Sequence, residues 1–244
     1  MIIHVYMMCF NEEVLMPYFL RHYGSFADHI FVFDHYSDDK TVEIVKAFPK
    51  TTITPFGIAG KFDDTILLNL KNEAYKSSRG KADWVMIVDI DEFLYHPNLV
   101  YLLKNYKDKG ITFPKITGFD MISDEVPTHP GQIYETIKEG VHDTMFSKRA
   151  VFNPSIDIKY FPGAHKCFPS GNIIESEKDD VKLLHYRFLS PYFIVNRIEL
   201  RTSRLSEENI KKKWSVVKCA EGETLRERLL KTYVERRAAR TKVI

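Results

Sequence analysis

The stretch Trp84-Val85-Met86-Ile87-Val88-Asp89-Ile90-Asp91-Glu92-Phe93 limits what this chain can fold into more than any other. Its Val- and Ile-rich apolar run lacks the alternation of a half-exposed strand. It therefore reads as a strand buried on both faces, as in a covered parallel sheet. The run ends abruptly in carboxylates. Asp89 and Asp91 are two residues apart, so on a strand their side chains project to the same side. Ligands of open α/β sheets bind at the carboxyl ends of the strands. Two like charges this close raise each other's pKa unless something positive sits between them. A hard divalent cation does that, and one with free coordination positions is suited to holding a diphosphate. The plainer alternative is a solvated acidic turn.

The sequence before this stretch supplies the rest of such a sheet. Residues 2–9 alternate little and predict a first buried strand. Asn11-Glu12-Glu13 predicts a helix start, with Asn11 as N-cap and Pro17 within the first turn. His29–Asp34 predicts a second strand ending in an acid, followed by the polar loop Ser37-Asp38-Asp39-Lys40-Thr41 and a helix over Val42–Phe48. Thr51–Phe56 is a third strand, and residues 64–79 carry Ile66, Leu70 and Ala74 at helical spacing. This β-α-β-α-β-α-β order predicts an α/β fold with a mostly parallel sheet flanked by helices. Residues 111–163 contain Pro114, Pro127, Pro130, Pro154 and Pro162, so short strands and loops are expected there. Helical periodicity returns over Arg197–Leu205 and Glu223–Arg240.

The 244 residues, 44% hydrophobic and 28% charged, suit a globular chain, and a net charge of +2 forecasts no nucleic-acid partner. The first residues lack the basic region and apolar core of a signal peptide. No run approaches the ~18 apolar residues of a membrane span. Cys9, Cys167 and Cys219 are odd in number, far apart and without a CxxC pair, which suits reduced thiols and a cytoplasmic setting.

Three elements point to one site at the carboxyl ends of the sheet: Asn11-Glu12, Asp34 with Ser37 and Asp39 behind it, and Asp89/Asp91. This set resembles the bacterial family 2 type of GT-A glycosyltransferases. In that family an Asn-Glu pair follows the first strand, and an Asp-x-x-Ser-x-Asp-x-Thr pattern, here Asp34 to Thr41, closes the second. A Lys-Asn or Arg-Asn pair, here Lys71-Asn72, precedes the metal motif. The later chain is similar to an Asp-x-Asp-Glu-Phe subgroup through Gly118-Phe119-Asp120-Met121, Gln132-Ile133-Tyr134, Pro162-Gly163-Ala164-His165, Leu183-Leu184-His185-Tyr186 and Arg204–Asn209. The resemblance extends to about Trp214. It implies the GT-A fold, with a catalytic domain over 1–215 (a nucleotide-binding half, 1–95, and an acceptor and metal-completing half, 96–215). A basic C-terminal helical extension then occupies 216–244.

The activity implied is metal-dependent, inverting, hexosyltransferase-like transfer of a sugar from a nucleotide-diphosphate donor, a UDP-sugar favoured. The acceptor would be a saccharide or a lipid-linked one, in surface polysaccharide or lipopolysaccharide synthesis. Asn11, Glu12, Asp34, Ser37, Asp39, Lys71, Asn72, Asp89 and Lys148 would contact the nucleotide. Asp89 and Asp91 would hold Mn²⁺ or Mg²⁺, with His165 or His185 completing the site. An inverting enzyme also needs a carboxylate to take the acceptor proton. Asp120, Asp124, Glu125, Asp143 and Asp157 are available, and Asp120, after a short apolar strand, is favoured. Two other functions fit parts of the pattern: a non-catalytic sugar-nucleotide or carbohydrate-binding protein, and a phosphohydrolase with a coincidental Asp-x-Asp.

Residues 197–244 hold 14 Lys+Arg against 7 Asp+Glu, a local charge of +7. Arg226, Arg228, Lys231, Arg236, Arg237 and Arg240 surround a Leu225-Leu229-Tyr233 stripe. Such a segment either docks on the catalytic domain with a solvated basic face or makes a peripheral contact with the inner face of an anionic membrane.

Overall fold

The computed structural model describes residues 1–244. Strands β1 (Ile3–Cys9), β2 (His29–Asp34), β3 (Thr51–Pro55) and β4 (Trp84–Asp89) lie parallel in the order β3-β2-β1-β4. Their crossovers are α1 (Met16–Gly24), α2 (Thr41–Ala47) and α3 (Asp64–Glu73), the last continued by a 3-10 turn over Ala74–Ser78. The α/β class and the parallel sheet flanked by helices are as the sequence predicts. β4 is buried from Trp84 to Val88, which is why its apolar run shows no alternation. The one polar group of Trp84, its indole N–H, donates to the Leu103 carbonyl at 3.2 Å. Register aligns Cys9 with Asp34 and Met8 with Asp89, so β1, β2 and β4 end along one edge.

Asn11 is not a helix cap. It sits in the left-handed region (φ 52°) in a loop, and α1 begins only after Leu15. Asparagine suits either position, because its short side chain satisfies a cap or stabilises a positive φ.

After β4 the chain turns at Ile90-Asp91 and leaves the first sheet. It continues as β5 (Glu92–Tyr95), then α4 (Leu99–Asp108), β6 (Ile116–Ile122), α5 (Ile133–Thr136) and β7 (Glu139–His142). The two-residue β8 (Val151–Phe152) adds an antiparallel edge to β4. β9 (Asp157–Tyr160) and β10 (Cys167–Ser170) form a separate hairpin, and β11 (Val181–Phe188) follows. Helices α6 (Pro191–Ser203), α7 (Glu207–Lys212) and α8 (Leu225–Ala239) and the short strand β12 (Thr241–Lys242) complete the chain. A second, mixed sheet has the order β12-β7-β6-β11-β5. α6 starts earlier than periodicity suggests because Ser190 caps it, accepting from the Phe193 N–H at 3.0 Å, with Pro191 in its first turn.

The C-terminal segment is built into this second layer. Leu229 and Tyr233 of α8 are buried in a cluster with Ile194, Val195 and Ile198 of α6, and β12 pairs with β7. Arg226 pairs with Glu199 (3.1 Å), Arg236 with Asp143 (2.5 Å), Arg237 with Asp124 and Arg240 with Glu139 (2.8 Å). Arg228 and Lys231 have no ion pair. Most of the basic stripe is thus matched by carboxylates of the same chain. No helix is long and apolar enough to cross a membrane.

Candidate functional site

The two sheets meet at the acidic turn. β5 pairs antiparallel with β11 and β6 pairs parallel with it, so Glu92, His185 and Asp120 stand in register across three adjacent strands. The Tyr186 N–H donates to the Asp91 carbonyl at 2.7 Å and locks the turn to β11. Gly118 makes the next step possible. A β-carbon there would overlap the Phe146 backbone, and the Gly118 N–H donates to the Ser147 hydroxyl at 3.1 Å. That close approach brings Lys148 into the site.

A cavity of about 600 Å³ opens over this junction. Of the residues expected there, Asn11, Glu12, Lys71, Asp89, Asp91, Lys148, His165 and His185 line it. The Lys71 ammonium donates to Asp89 at 2.6 Å, and that of Lys148 donates to the other Asp89 oxygen at 3.3 Å and to Glu92. Burial alone would raise the Asp89 pKa, but the two lysines hold it well below the usual carboxylate range. Asp91 behaves likewise: against burial, Arg197 and then His185 keep it ionised. Arg197 donates to Asp91 at 2.7 Å and to Glu12 at 2.5 Å. Sharing that one cation leaves Glu12 weakly compensated, and burial pushes its pKa up to about 7.

His185 sits between two acids. Its Nδ1 is 2.8 Å from Asp120 and its Nε2 is 3.6 Å from Asp91. Burial opposes its charge, yet the two carboxylates override that and raise its pKa to about 9. Asp120 itself is 1% exposed and does not line the cavity. Its carboxylate meets His185 and not the cavity, which is not where a base expected to reach an acceptor would stand. The other acids considered are occupied elsewhere: Asp124 by Arg237, Asp143 by Arg236 and Asp157 by Arg79 at 2.6 Å. Glu125 also lies outside the cavity.

Four of the residues expected to contact the nucleotide make hydrogen bonds within the fold. Asp34 accepts from the Ser37 N–H at 3.0 Å and the Ser37 hydroxyl at 2.5 Å, so both its oxygens close their own loop. The Ser37 hydroxyl in turn accepts from the Asn11 N–H at 2.9 Å, and Asp39 accepts from the Glu13 N–H at 3.0 Å and the Thr41 N–H at 2.9 Å. These bonds zip the β1 and β2 loops together. Asn72 accepts from the Tyr160 N–H at 2.8 Å and ties α3 to β9.

The acidic turn implies a divalent cation, and the residues fit one in part. Asp91 and the Nε2 of His185 face each other across 3.6 Å, and Asp120 holds the other ring nitrogen, the arrangement that orients a metal-binding imidazole. No group of three or more His, Cys, Asp or Glu side chains is gathered as a closed cage. Mg²⁺ and its like are bound through one or two carboxylates plus phosphate and water, so two protein donors suffice. Asp89, saturated by lysines, and His165, whose Nδ1 meets the Met145 carbonyl at 3.0 Å, are not placed with them.

Sequence reading missed the cations that face the turn. Arg187 from β11 and Arg197, Arg201 and Arg204 from α6 and its end all line the cavity. Spacing of i, i+4 and i+7 on one helix was the available signal, since it sets residues on one face. At the far end Arg204 lies over the Phe10 ring (3.2 Å to the centroid) and its Nη2 is 2.5 Å from His35.

No family model and no curated protein matches this chain. Among solved structures it is similar to S. aureus TarS, with a TM-score of 0.49 and 13% identity, over 97% of this chain and 43% of that one. It is also similar to S. aureus TarS 1-349 in complex with UDP-GlcNAc (TM-score 0.47, 13% identity, 96% and 72% covered). A third is mannosyl-3-phosphoglycerate synthase from Rubrobacter xylanophilus (TM-score 0.35, 16% identity, 48% and 40% covered). The chain spans less than half the length of the first of these.

Proposed function

We propose that this chain is a cation-assisted, inverting glycosyltransferase that moves a sugar from a nucleotide-diphosphate donor, favouring a UDP-sugar, to a saccharide or lipid-linked acceptor. The observation that carries the reading is the acidic turn at the carboxyl end of β4, which lines one cavity together with Lys71, Lys148 and Arg197. This is where an open α/β sheet receives a ligand, and the charges there match a diphosphate with its counter-ion.

In this reading Asp91 and His185 hold Mn²⁺ or Mg²⁺, and the ion, when bound, supplies Lewis-acid stabilisation of the leaving diphosphate. Lys71 and Lys148 orient Asp89 and face the phosphates as preorganised cations. Asp120 fixes the orientation of His185. Glu12, whose pKa of about 7 is nearest neutrality among the cavity carboxylates, takes the acceptor proton.

A thermal-shift panel of nucleoside diphosphates and nucleotide sugars, with and without Mn²⁺, tests the assignment. A ligand at a hundredfold excess over its Kd stabilises the native state by about 2.7 kcal/mol. For a chain of this size that raises the melting temperature by about 5–10 °C. Asp91→Ala should fold and lose the Mn²⁺-dependent part of this shift. A panel in which no nucleotide stabilises the wild type, or an Asp91→Ala protein with undiminished calorimetric affinity in Mn²⁺, defeats the proposal.

A further inference from the structure

We infer that Arg187 and Arg201 receive a phosphoryl group carried by the acceptor, so that the second substrate of this site is phosphorylated. The inference rests on the nucleotide-sugar reading and adds to it a substrate class. Arg201 lies one turn beyond Arg197 on α6, Arg187 lies two residues beyond His185 on β11, and all three line the cavity. Arg197 has its partners in Asp91 and Glu12. Arg187 and Arg201 have none: neither guanidinium is within bonding reach of a protein acceptor, and the Nε of each is buried and unsatisfied. Phe188, 5.3 Å from the Arg187 guanidinium, offers only its ring face.

A buried cation without a partner is costly, and neighbouring like charges add to the cost. Arg187 and Arg201 are each half-buried, with the Nε enclosed. A fold that keeps such a pair in a substrate cavity has an anion to set against it.

Charge accounting separates that anion from the donor. Seven Lys and Arg line the cavity against four Asp and Glu. A nucleotide sugar brings about one negative charge per phosphate. A divalent cation bound with them would cancel that contribution, and without the cation a positive surplus still remains. A phosphomonoester carries about −1.5 to −2 charge on three acceptor oxygens. That matches two guanidinium groups, each a rigid fork of N–H donors, whereas a carboxylate supplies half the charge.

The test uses the full-length protein loaded with Mn²⁺ and the nucleoside diphosphate that stabilises it, titrated calorimetrically with inorganic phosphate, a hexose phosphate and the parent hexose. Both phosphate probes are expected to bind alongside the nucleotide, the hexose phosphate at least about tenfold more tightly than either the hexose or inorganic phosphate. Arg187→Gln and Arg201→Gln should each weaken the phosphate probes by about tenfold or more while the nucleotide still binds. Neither variant should melt below the wild type, because each removes a half-buried charge that no protein group pairs. Competition between phosphate and the nucleotide, variants that lose nucleotide and phosphate alike, or equal affinity for hexose and hexose phosphate would each overturn the inference. If no nucleoside diphosphate binds at all, the donor reading fails separately. The same titration on the unloaded protein then decides the anion site, which stands if the wild type alone holds the hexose phosphate in preference to the hexose and falls otherwise.

Discussion

Raising the pH of the metal-free protein from about 7.5 to about 9.5 should weaken the fold by discharging His185. The imidazole has an ordinary pKa of 6.5 and one of about 9 in the folded chain. A group whose folded pKa lies above its unfolded value stabilises fully below the unfolded one, and that contribution disappears as pH rises through the folded one. Each unit corresponds to about 1.4 kcal/mol. The whole shift therefore represents on the order of 3 kcal/mol, of which about 2 kcal/mol is lost across this window. His185 is 6% exposed, so solvent screening takes little from the figure. For a chain of this length the melting temperature should fall by about 4–8 °C. Glu12, raised to about 7 from 4.5, acts mostly at lower pH and has nearly finished titrating where the window opens. The assay is differential scanning calorimetry in EDTA at several pH values, with His185→Gln as reference, because the variant retains every other titrating group. A His185→Gln protein whose melting temperature falls with pH as steeply as the wild type's would refute the reasoning.

Lys148→Met should destabilise the protein by about 3–5 kcal/mol in urea, because Glu92, 1% exposed, would keep a buried charge with no cation. Adding Glu92→Gln should recover a large part of that loss. Glu12→Gln should lower turnover and remove the acidic limb of the kcat profile near pH 7, and an unchanged limb would take the proton-acceptor role away from Glu12.

What the sequence made legible is what local pattern determines. A continuous Val/Ile run over 84–88 has few solutions other than a doubly covered strand, so β4 and the acidic turn could be placed without a structure. The second sheet could not be placed in this way. Its strand β7 is four residues long and its strand β12 two, and both exist through pairing, β7 with β6 and β12 with β7 about 100 residues earlier in the chain. The loop residues Asp34, Ser37 and Asp39 carry short polar side chains that both close turns and bind nucleotides, so their loop-closing hydrogen bonds are not legible from residue type alone. Asp120 is the clearest case. An acid after an apolar strand looks like a base, and only the β6–β11 register reveals that it stands behind His185. The arginines of α6 were pooled with the basic C-terminal segment by composition, although their helical face separates them from it.

The third acid of the Asp-x-Asp-Glu sequence has a different task from the first two. One Glu92 oxygen accepts from the Asp89 N–H at 3.0 Å and the other meets Lys148. The Glu92 carbonyl accepts from the Tyr23 hydroxyl of α1 at 2.9 Å, and that same hydroxyl accepts from the Leu94 N–H at 3.0 Å. Glu92 is also the first residue of β5, paired with His185. A single buried side chain thus fixes the turn that carries Asp89 and Asp91, recruits the lysine that charges Asp89, and begins the strand that aligns His185. Of the three acids only Asp89 keeps appreciable solvent contact, 34% exposed through its side chain. Glu92 instead bridges the end of β4, through the Asp89 N–H, and the loop that precedes β8, through Lys148. The spacing of three acids within four residues therefore divides two tasks: Asp89 and Asp91 line the cavity, and Glu92 behind them holds the turn in position.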